Sequence, residues 1–124
     1  MGLTDSAVAE LQEVLRGKSY DVALFTTAPL ADGTGGVECA AASYARVAFA
    51  GSDFTAPDST RTIANSVDIE FPAIAETWGD IKAVGCYEGS DLVLIGAISP
   101  SKFVALGQSP VKLAPGDLSF SLGL

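Results

Sequence analysis

Glycine and proline interrupt this chain so often that it has room only for short elements. Thirteen glycines and six prolines are spread over 124 residues. Beyond Gly17 they separate β-branched and aromatic segments that recur about every ten residues, a spacing typical of strands in a sandwich. The pattern therefore predicts an all-β protein of roughly eight short strands, built as a sandwich or jelly roll.

The first seventeen residues are the exception, and they predict one short helix. Thr4, Asp5 or Ser6 can cap it, and Gly17 is a stop signal just past its end. A helix of about a dozen residues is marginal alone. We expect its apolar face to rest on the remainder of the domain or on a neighbouring subunit. That face is Val8, Leu11, Val14 and Leu15, while Glu10, Gln12, Glu13 and Arg16 fall largely elsewhere.

Three segments carry specific strand or loop signals. Val67–Phe71 alternates, which predicts a strand with Val67, Ile69 and Phe71 inward and Asp68 and Glu70 outward, in solvent. Leu92–Ile98 is apolar throughout, as expected for a central strand buried on both faces. Asp32–Gly36 is glycine-rich and predicts a flexible loop, and Glu88–Asp91 predicts a hairpin turn.

The remaining segments complete a single antiparallel β-sandwich or jelly-roll-like domain over residues 18–124, preceded by a helix or arm over residues 1–17. The other strand candidates are Tyr20–Thr27, Tyr44–Phe49, Ile81–Tyr87, Lys102–Leu106, Val111–Leu113 and Leu118–Leu122.

The charge balance restricts the partners. Fifteen acidic residues against seven basic ones give a net charge of −8, and no two basic residues are adjacent. Nucleic-acid binding and docking on an anionic membrane both depend on clustered Lys and Arg, so we expect neither. Apolar runs are far shorter than the ~20 residues of a membrane span, and the start of the chain lacks an export signal. We therefore expect a protein that is made in the cytoplasm.

The two cysteines predict free buried thiols. Cys39 and Cys86 lie far apart in the sequence, and disulfides are rare in cytosolic proteins, although a disulfide stays open as the alternative. The chain has no histidine, and two isolated cysteines cannot supply the four ligands of a structural zinc. We expect no metal and no other cofactor.

No segment combines the groups that catalysis requires. Gly107–Val111 begins like a nucleophile elbow but lacks the second glycine, and there is no histidine to act as base. Asp32–Gly35 resembles neither a phosphate-binding loop nor a calcium loop. It scrambles the Asp-Thr-Gly motif of aspartic proteases, whose catalysis needs two carboxylates, and a glycine-rich surface loop explains it better. Two single residues are of interest: we expect Trp78 in the core and Arg46 paired with a carboxylate.

Seven segments, in order along the chain, carry a resemblance to a known family: Val14–Gly17, Val22–Pro29, Gly35–Glu38, Tyr44–Val47, Val67–Ala73, Thr77–Gly79 and Gly116–Asp117. Together they resemble small virion proteins of tailed bacteriophages, usually labelled phage tail fibre protein and including head-decorating proteins. The most specific are Ala-Leu-Phe-Thr-Thr-Ala-Pro, Tyr-Ala-Arg and Thr-Trp-Gly. The segment between the helix and the first strand, 17–20, is shorter than in the family pattern.

The resemblance implies a non-enzymatic structural protein of the virion. The first hypothesis is a capsid decoration (cement) protein, which binds the major capsid protein on the outer face of the head as a homo-oligomer, with a trimer expected. A charge of −8 suits the outside of a DNA-filled head better than the inside. The second hypothesis is a tail-fibre or tail-tip component, bound to tail proteins and involved in host attachment. A small hydrolase is a third hypothesis, for which the chain offers no nucleophile and base.

Two sets of residues are predicted to form protein interfaces. The first is the helix face Val8, Leu11, Val14 and Leu15, and the second is the loop Asp32, Gly33, Gly35 and Gly36.

Overall fold

The described part of the chain folds into one helix followed by nine strands. A computed structural model describes residues 4–30, 32–55 and 62–121, and the side chains of all these except 97–102 and 121. The elements are α1 (Asp5–Arg16), β1 (Ser19–Thr27), β2 (Val37–Glu38), β3 (Val47–Ala50), a 3-10 turn (Gly51–Asp53), β4 (Thr62–Ala64), β5 (Ile69–Glu70), β6 (Gly79–Glu88), β7 (Asp91–Val104), β8 (Lys112–Leu113) and β9 (Ser119–Ser121). Residues 1–3 of the predicted arm and Leu122 of the predicted last strand lie outside the described residues.

Five of the strands form one antiparallel sheet. Its order is β2, β1, β6, β7, and β3 also pairs with β1, opposite residues 19–22. β6 and β7 are joined by the predicted hairpin, whose turn residue Gly89 has a φ of 62°. The remaining strands form two short ladders, β4 with β9 and β5 with β8.

The main core lies between one face of the large sheet and the two short ladders. Val22 and Leu24 of β1 contribute from the sheet, and Ile63 of β4 and Phe120 of β9 contribute from the other layer. Trp78 belongs to this core, as predicted, with 5% of its surface exposed. The sequence-based prediction of an antiparallel all-β fold with a short N-terminal helix is confirmed.

A second, smaller cluster covers the opposite face of the sheet. Ala23, Phe25 and Ala83 are buried there, and Tyr87 and Leu92 pack against them half-buried. Because β1 contributes alternate side chains to both clusters, it is buried along both faces from residue 22 to 25.

The prediction that Leu92–Ile98 is the central strand is therefore wrong. These residues belong to β7, which ends the strand order of the described sheet. Leu94 faces the main core, whereas Val93 is 41% exposed. An apolar run has the same appearance in an edge strand and in a central one, so its composition did not distinguish them.

The predicted strand Val67–Phe71 is shorter than expected. Only Ile69–Glu70 pairs, with β8, and Val67 is 41% exposed rather than inward. The cause is Asn65, which is 1% exposed and donates to the carbonyl oxygen of Val67 at 2.8 Å, so this residue is held in a turn. Asp68 and Glu70 point outward as predicted, and the predicted strand Tyr44–Phe49 forms only from Val47 onward.

Candidate interaction surfaces

Helix α1 is fixed to the domain along one side. The Thr4 hydroxyl caps the helix by accepting a hydrogen bond from the N–H of Ala7 at 3.2 Å. Val8 and Gln12 are fully buried, and Leu15 packs against the main core. These three residues are spaced by four and then three positions, so they form one stripe along the helix.

Polar contacts to backbone carbonyls complete this attachment. Gln12 Nε2 donates to the carbonyl of Thr62 at 3.5 Å, and Arg16 Nε donates to that of Phe54 at 3.3 Å. The expectation that Gln12 lies away from the buried face is wrong. Its amide nitrogen has this carbonyl partner, whereas its buried Oε1 has no hydrogen-bond partner in the described structure, so burial of the amide is only partly compensated.

The other half of the predicted apolar face stays in solvent. Leu11 is 44% exposed and Val14 is 56% exposed. Of the four helix residues predicted to form an interface, Val8 and Leu15 serve the chain's own domain. Leu11 and Val14 remain uncovered in the described structure.

The loop Asp32–Gly36 is a hydrogen-bonded turn. The N–H of Leu30 donates to the carbonyl of Thr34, and the N–H of Gly33 donates to that of Leu30, both at 2.8 Å. Asp32 Oδ1 accepts from the N–H and the hydroxyl of Thr34 at 3.0 and 2.7 Å, which lowers the pKa of Asp32. Gly33 and Gly35 adopt φ of 84° and 77°, the left-handed region that favours glycine.

The turn folds back over the sheet. A Cβ added to Gly36 would lie 2.7 Å from the ring of Pro29, and one added to Gly33 would lie 3.8 Å from the carbonyl oxygen of Leu92. A shallow polar groove therefore separates the turn from the β6–β7 hairpin. Its lining residues are Asp32, Gly33, Thr34, Tyr87, Ser90, Asp91 and Leu92.

Glu38, Tyr44, Arg46 and Tyr87 form a polar cluster at the start of β3. Arg46 donates to both carboxylate oxygens of Glu38, from Nε at 2.9 Å and from Nη2 at 2.8 Å. The Tyr44 hydroxyl donates to the same carboxylate at 2.6 Å, and the guanidinium lies 3.8 Å from the centre of the Tyr87 ring. The prediction that Arg46 pairs with a carboxylate is confirmed.

The cluster is tighter than an exposed ion pair. Hydrogen bonds from Arg46 hold the pKa of Glu38 below its ordinary value. Burial raises the pKa of the Tyr44 hydroxyl, and its hydrogen bond to Glu38 raises it further. Bidentate geometry with a stacked aromatic ring favours a contribution to stability that scattered surface pairs do not make.

Ser43 and Trp78 extend this cluster into the core. The Trp78 Nε1–H donates to Ser43 Oγ at 2.8 Å, and that hydroxyl donates to Glu76 Oε1 at 2.8 Å. The Tyr44 ring meets the Trp78 ring edge to face at 5.5 Å. The indole nitrogen is thereby satisfied while its ring stays buried.

Both thiols of the chain are buried, which lowers their reactivity. Cys39 and Cys86 are free and buried, as predicted, and burial raises the pKa of the Cys86 thiol to about 12. Within residues 4–30, 32–55 and 62–121 there is no group of three or more cysteine, aspartate or glutamate residues placed to bind a metal. No helix in that part of the chain has the length and apolar character to cross a membrane.

A family model decides where this chain belongs. Residues 9–121 match the model described as Podophage GP4 fiber I protein gp80. The chain belongs to this family. The resemblance to tailed-phage virion proteins is thereby confirmed, and gp80 membership implies a place in the virion. No curated protein and no solved structure matches the chain.

The segments that carry the resemblance meet in this gp80 family member. Glu38, Tyr44 and Arg46 come from two of them, and Trp78 comes from a third. The cluster fixes the chain between β2 and β3 onto the sheet, which is a structural role. Spacing along the sequence did not predict this meeting, because the residues are up to forty positions apart.

Proposed function

We propose that this chain is a non-enzymatic component of a phage tail fibre or tail tip that takes part in host attachment. The observation that carries the proposal is the match of residues 9–121 to a fibre protein family. This match favours the second hypothesis from the sequence over the first, capsid decoration. The family description names a fibre, and no feature of the described residues is specific to a head site.

A fibre role requires this domain to bind other subunits. A compact domain of this length has a radius of gyration of about 14 Å, so it is not elongated by itself. Large apolar side chains are exposed on separate elements and are available for such contacts. They include Leu11 and Val14 on α1, Leu30 and Val37 on either side of the Asp32–Gly36 turn, Phe103 near the end of β7 and Leu106 just beyond it.

The surface charge restricts the chemistry of these partners. Arg16, Lys18, Arg46 and Lys112 are each paired with a carboxylate, so much of the positive charge of the described residues is locally neutralised. With a net charge of −8, the domain is expected to bind neutral or basic surfaces and to be repelled by strongly anionic ones.

Co-sedimentation tests the proposal. Particles are prepared from a phage whose gene for this chain is deleted, so that the binding sites are empty, and heads and tails are separated. The labelled full chain is then added to heads, to tails and to host cells. We expect saturable binding to tails and none to heads.

Saturable binding to heads, at a copy number that follows the number of capsomers, would overturn the fibre assignment in favour of capsid decoration. Binding to tails but not to host cells would retain a fibre role and reject direct contact with the host. A heat-unfolded sample of the same chain controls for non-specific adsorption.

A further inference from the structure

The residues between β2 and β3 form a strap along the edge of β1. We call residues 39–46 the strap. The N–H of Cys39 donates to the carbonyl of Leu24 at 2.9 Å, and the hydroxyl of Tyr44 accepts from the N–H of Leu24 at 3.0 Å. β2 and β3 pair with β1 on either side of this position, so the strap satisfies the backbone groups that neither strand reaches.

The inner side of the strap covers part of the main core. Cys39 is buried, and Ala41 and Tyr44 pack against the core half-buried. The Tyr44 ring stacks on Phe71 at 6.3 Å and meets Trp78 edge to face. Trp78 is the only tryptophan of the chain, so its fluorescence reports on whether the strap is in place.

Two carboxylates hold the strap by its polar groups. At its N-terminal end, Glu38 accepts from the Tyr44 hydroxyl and from two nitrogens of Arg46. In its middle, Glu76 Oε1 accepts from the N–H of Ser43 at 2.6 Å and from the Ser43 hydroxyl at 2.8 Å. Hydrogen bonds to an ionised acceptor are roughly twice as strong as neutral ones, so the charge of each carboxylate contributes to holding the strap.

We propose that the strap is a latch that acid releases: it is closed while Glu38 and Glu76 are ionised and opens once both are protonated. The large sheet does not share this dependence, because β1, β6 and β7 are joined by backbone hydrogen bonds, which do not titrate. Opening uncovers Trp78 and leaves the N–H and the carbonyl of Leu24 unpaired at the edge of an intact sheet. The proposal goes beyond the proposed function and does not depend on it.

The groups around the two carboxylates identify what titrates. Tyr44 and Arg46 face Glu38, and the ring centre of Tyr87 on β6 lies 3.8 Å from the Arg46 guanidinium. Burial raises the pKa of the Cys39 thiol, and the charges of both glutamates raise it further. Below pH 7, arginine keeps its charge while tyrosine and cysteine keep their protons, so the two glutamates are the groups of this cluster that change charge in acid.

Both carboxylates lose their charge only at acidic pH. Hydrogen bonds from Arg46 lower the pKa of Glu38, and hydrogen bonds from Ser43 lower that of Glu76, each from an ordinary value of 4.5. A carboxyl whose folded pKa is lowered contributes its stabilisation fully above the ordinary value and loses it as the pH falls through the folded value. We therefore expect the strap to be closed at pH 7 and to open below pH 4.5.

Acrylamide quenching of Trp78 fluorescence in the full chain tests the proposal between pH 7 and pH 2. We expect the quenching constant to rise at least about threefold below pH 4.5 while far-ultraviolet circular dichroism keeps its native strand signal, because a local opening precedes global unfolding. A quenching constant that never rises would overturn the proposal. So would a rise that occurs only together with the loss of the strand signal.

Matched variants assign the opening to the two carboxylates. The double variant Glu38→Gln, Glu76→Gln imitates the protonated state, so we expect its quenching constant at pH 7 to match the acid value of wild type. Glu10→Gln makes the same exchange on an exposed residue of α1 and should behave as wild type. A double variant that is quenched like wild type at pH 7 would contradict the proposal.

Ser43→Ala provides a second test if the double variant does not fold. It leaves both carboxylates in place and removes the hydroxyl that donates to Glu76 and accepts from Trp78, each at 2.8 Å. We expect a higher quenching constant than that of wild type at pH 7, together with the native strand signal. An unchanged quenching constant in this variant would show that Glu76 does not hold the strap through Ser43, and the proposal would fail.

Discussion

At the scale of single residues, Glu38 joins segments that are separate in the sequence. It accepts hydrogen bonds from Tyr44 and twice from Arg46, and Arg46 in turn covers the ring of Tyr87 on β6. The carboxylate therefore connects β2, the chain before β3 and the β6–β7 hairpin. A side chain with this many charge-assisted partners is expected to affect stability although it is part-exposed.

Glu38→Gln is expected to lower the free energy of unfolding by about 1 kcal/mol at pH 7, because the amide keeps the shape but loses the charge. The folded pKa of Glu38 is lowered from its ordinary value of 4.5. The stabilisation is therefore fully present above pH 4.5 and is lost as the pH falls through the lower folded pKa. Urea unfolding of both proteins across this range measures the difference, and Asp80→Asn on an exposed carboxylate provides the control. If the difference in unfolding free energy between wild type and Glu38→Gln stays constant from pH 7 to pH 2, the charge of Glu38 does not stabilise the fold.

Gly51→Ala is expected to destabilise the fold by about 3 kcal/mol, at the upper end of the cost of overpacking. An added Cβ would lie 2.4 Å from the carbonyl oxygen of Lys18 and 2.6 Å from that of Leu15, and backbone atoms cannot move aside cheaply. Gly17→Ala is the matched control. Its Cβ would make only contacts of 3.6 Å, and its φ of −82° suits any residue. Thermal unfolding of both variants should show a large decrease in melting temperature for Gly51→Ala alone.

At the scale of elements, the two valines of α1 lie in different environments, one in the core and one in solvent. Val8 is fully buried, while Val14 is 56% exposed. A substitution of valine by alanine therefore removes packing contacts at Val8 and almost none at Val14. This division distinguishes the side of the helix that packs on the domain from the side that is exposed in the described structure.

Val8→Ala is expected to cost about 2 kcal/mol, from two buried methyl groups and the cavity that they leave. Val14→Ala is expected to change the stability of the monomer by less than about 0.5 kcal/mol, since alanine also has the higher helix propensity. Urea unfolding of dilute samples measures both. Equal costs would contradict the assignment of the two helix sides.

At the scale of the whole molecule, the two thiols report on global unfolding. Cys86 is fully buried and Cys39 is 5% exposed, and burial raises the pKa of both. The reactive species is the thiolate, so a thiol reagent at pH 8 is expected to label neither residue in the native protein and both in denaturant. Labelling that persists in Cys39→Ala comes from Cys86, and labelling that disappears comes from Cys39. Rapid labelling of the native chain would show that the layers open locally.

Much of the fold was predictable because local signals agreed with it. The cap at Thr4, the helix through Arg16, the hairpin at Gly89 and the long strand β1 all follow from residue types and spacing. That Leu11, Val14 and the Asp32–Gly36 turn contact a partner stays a prediction. What local signals could not predict was which half of the helix face would be covered, since both halves have the same period.

The sequence by itself determined the secondary structure class, the positions of most turns and the resemblance that the family match confirms. Tertiary structure alone decided that β1 and β6 are the interior strands of the sheet, that Gln12 and Asn65 are buried, and that Glu38 binds Arg46 and Tyr44. The physical reason is the range of the interactions. Capping, turn geometry and periodicity act over a few neighbouring residues, whereas burial and polar pairing depend on segments that only the folded chain brings together.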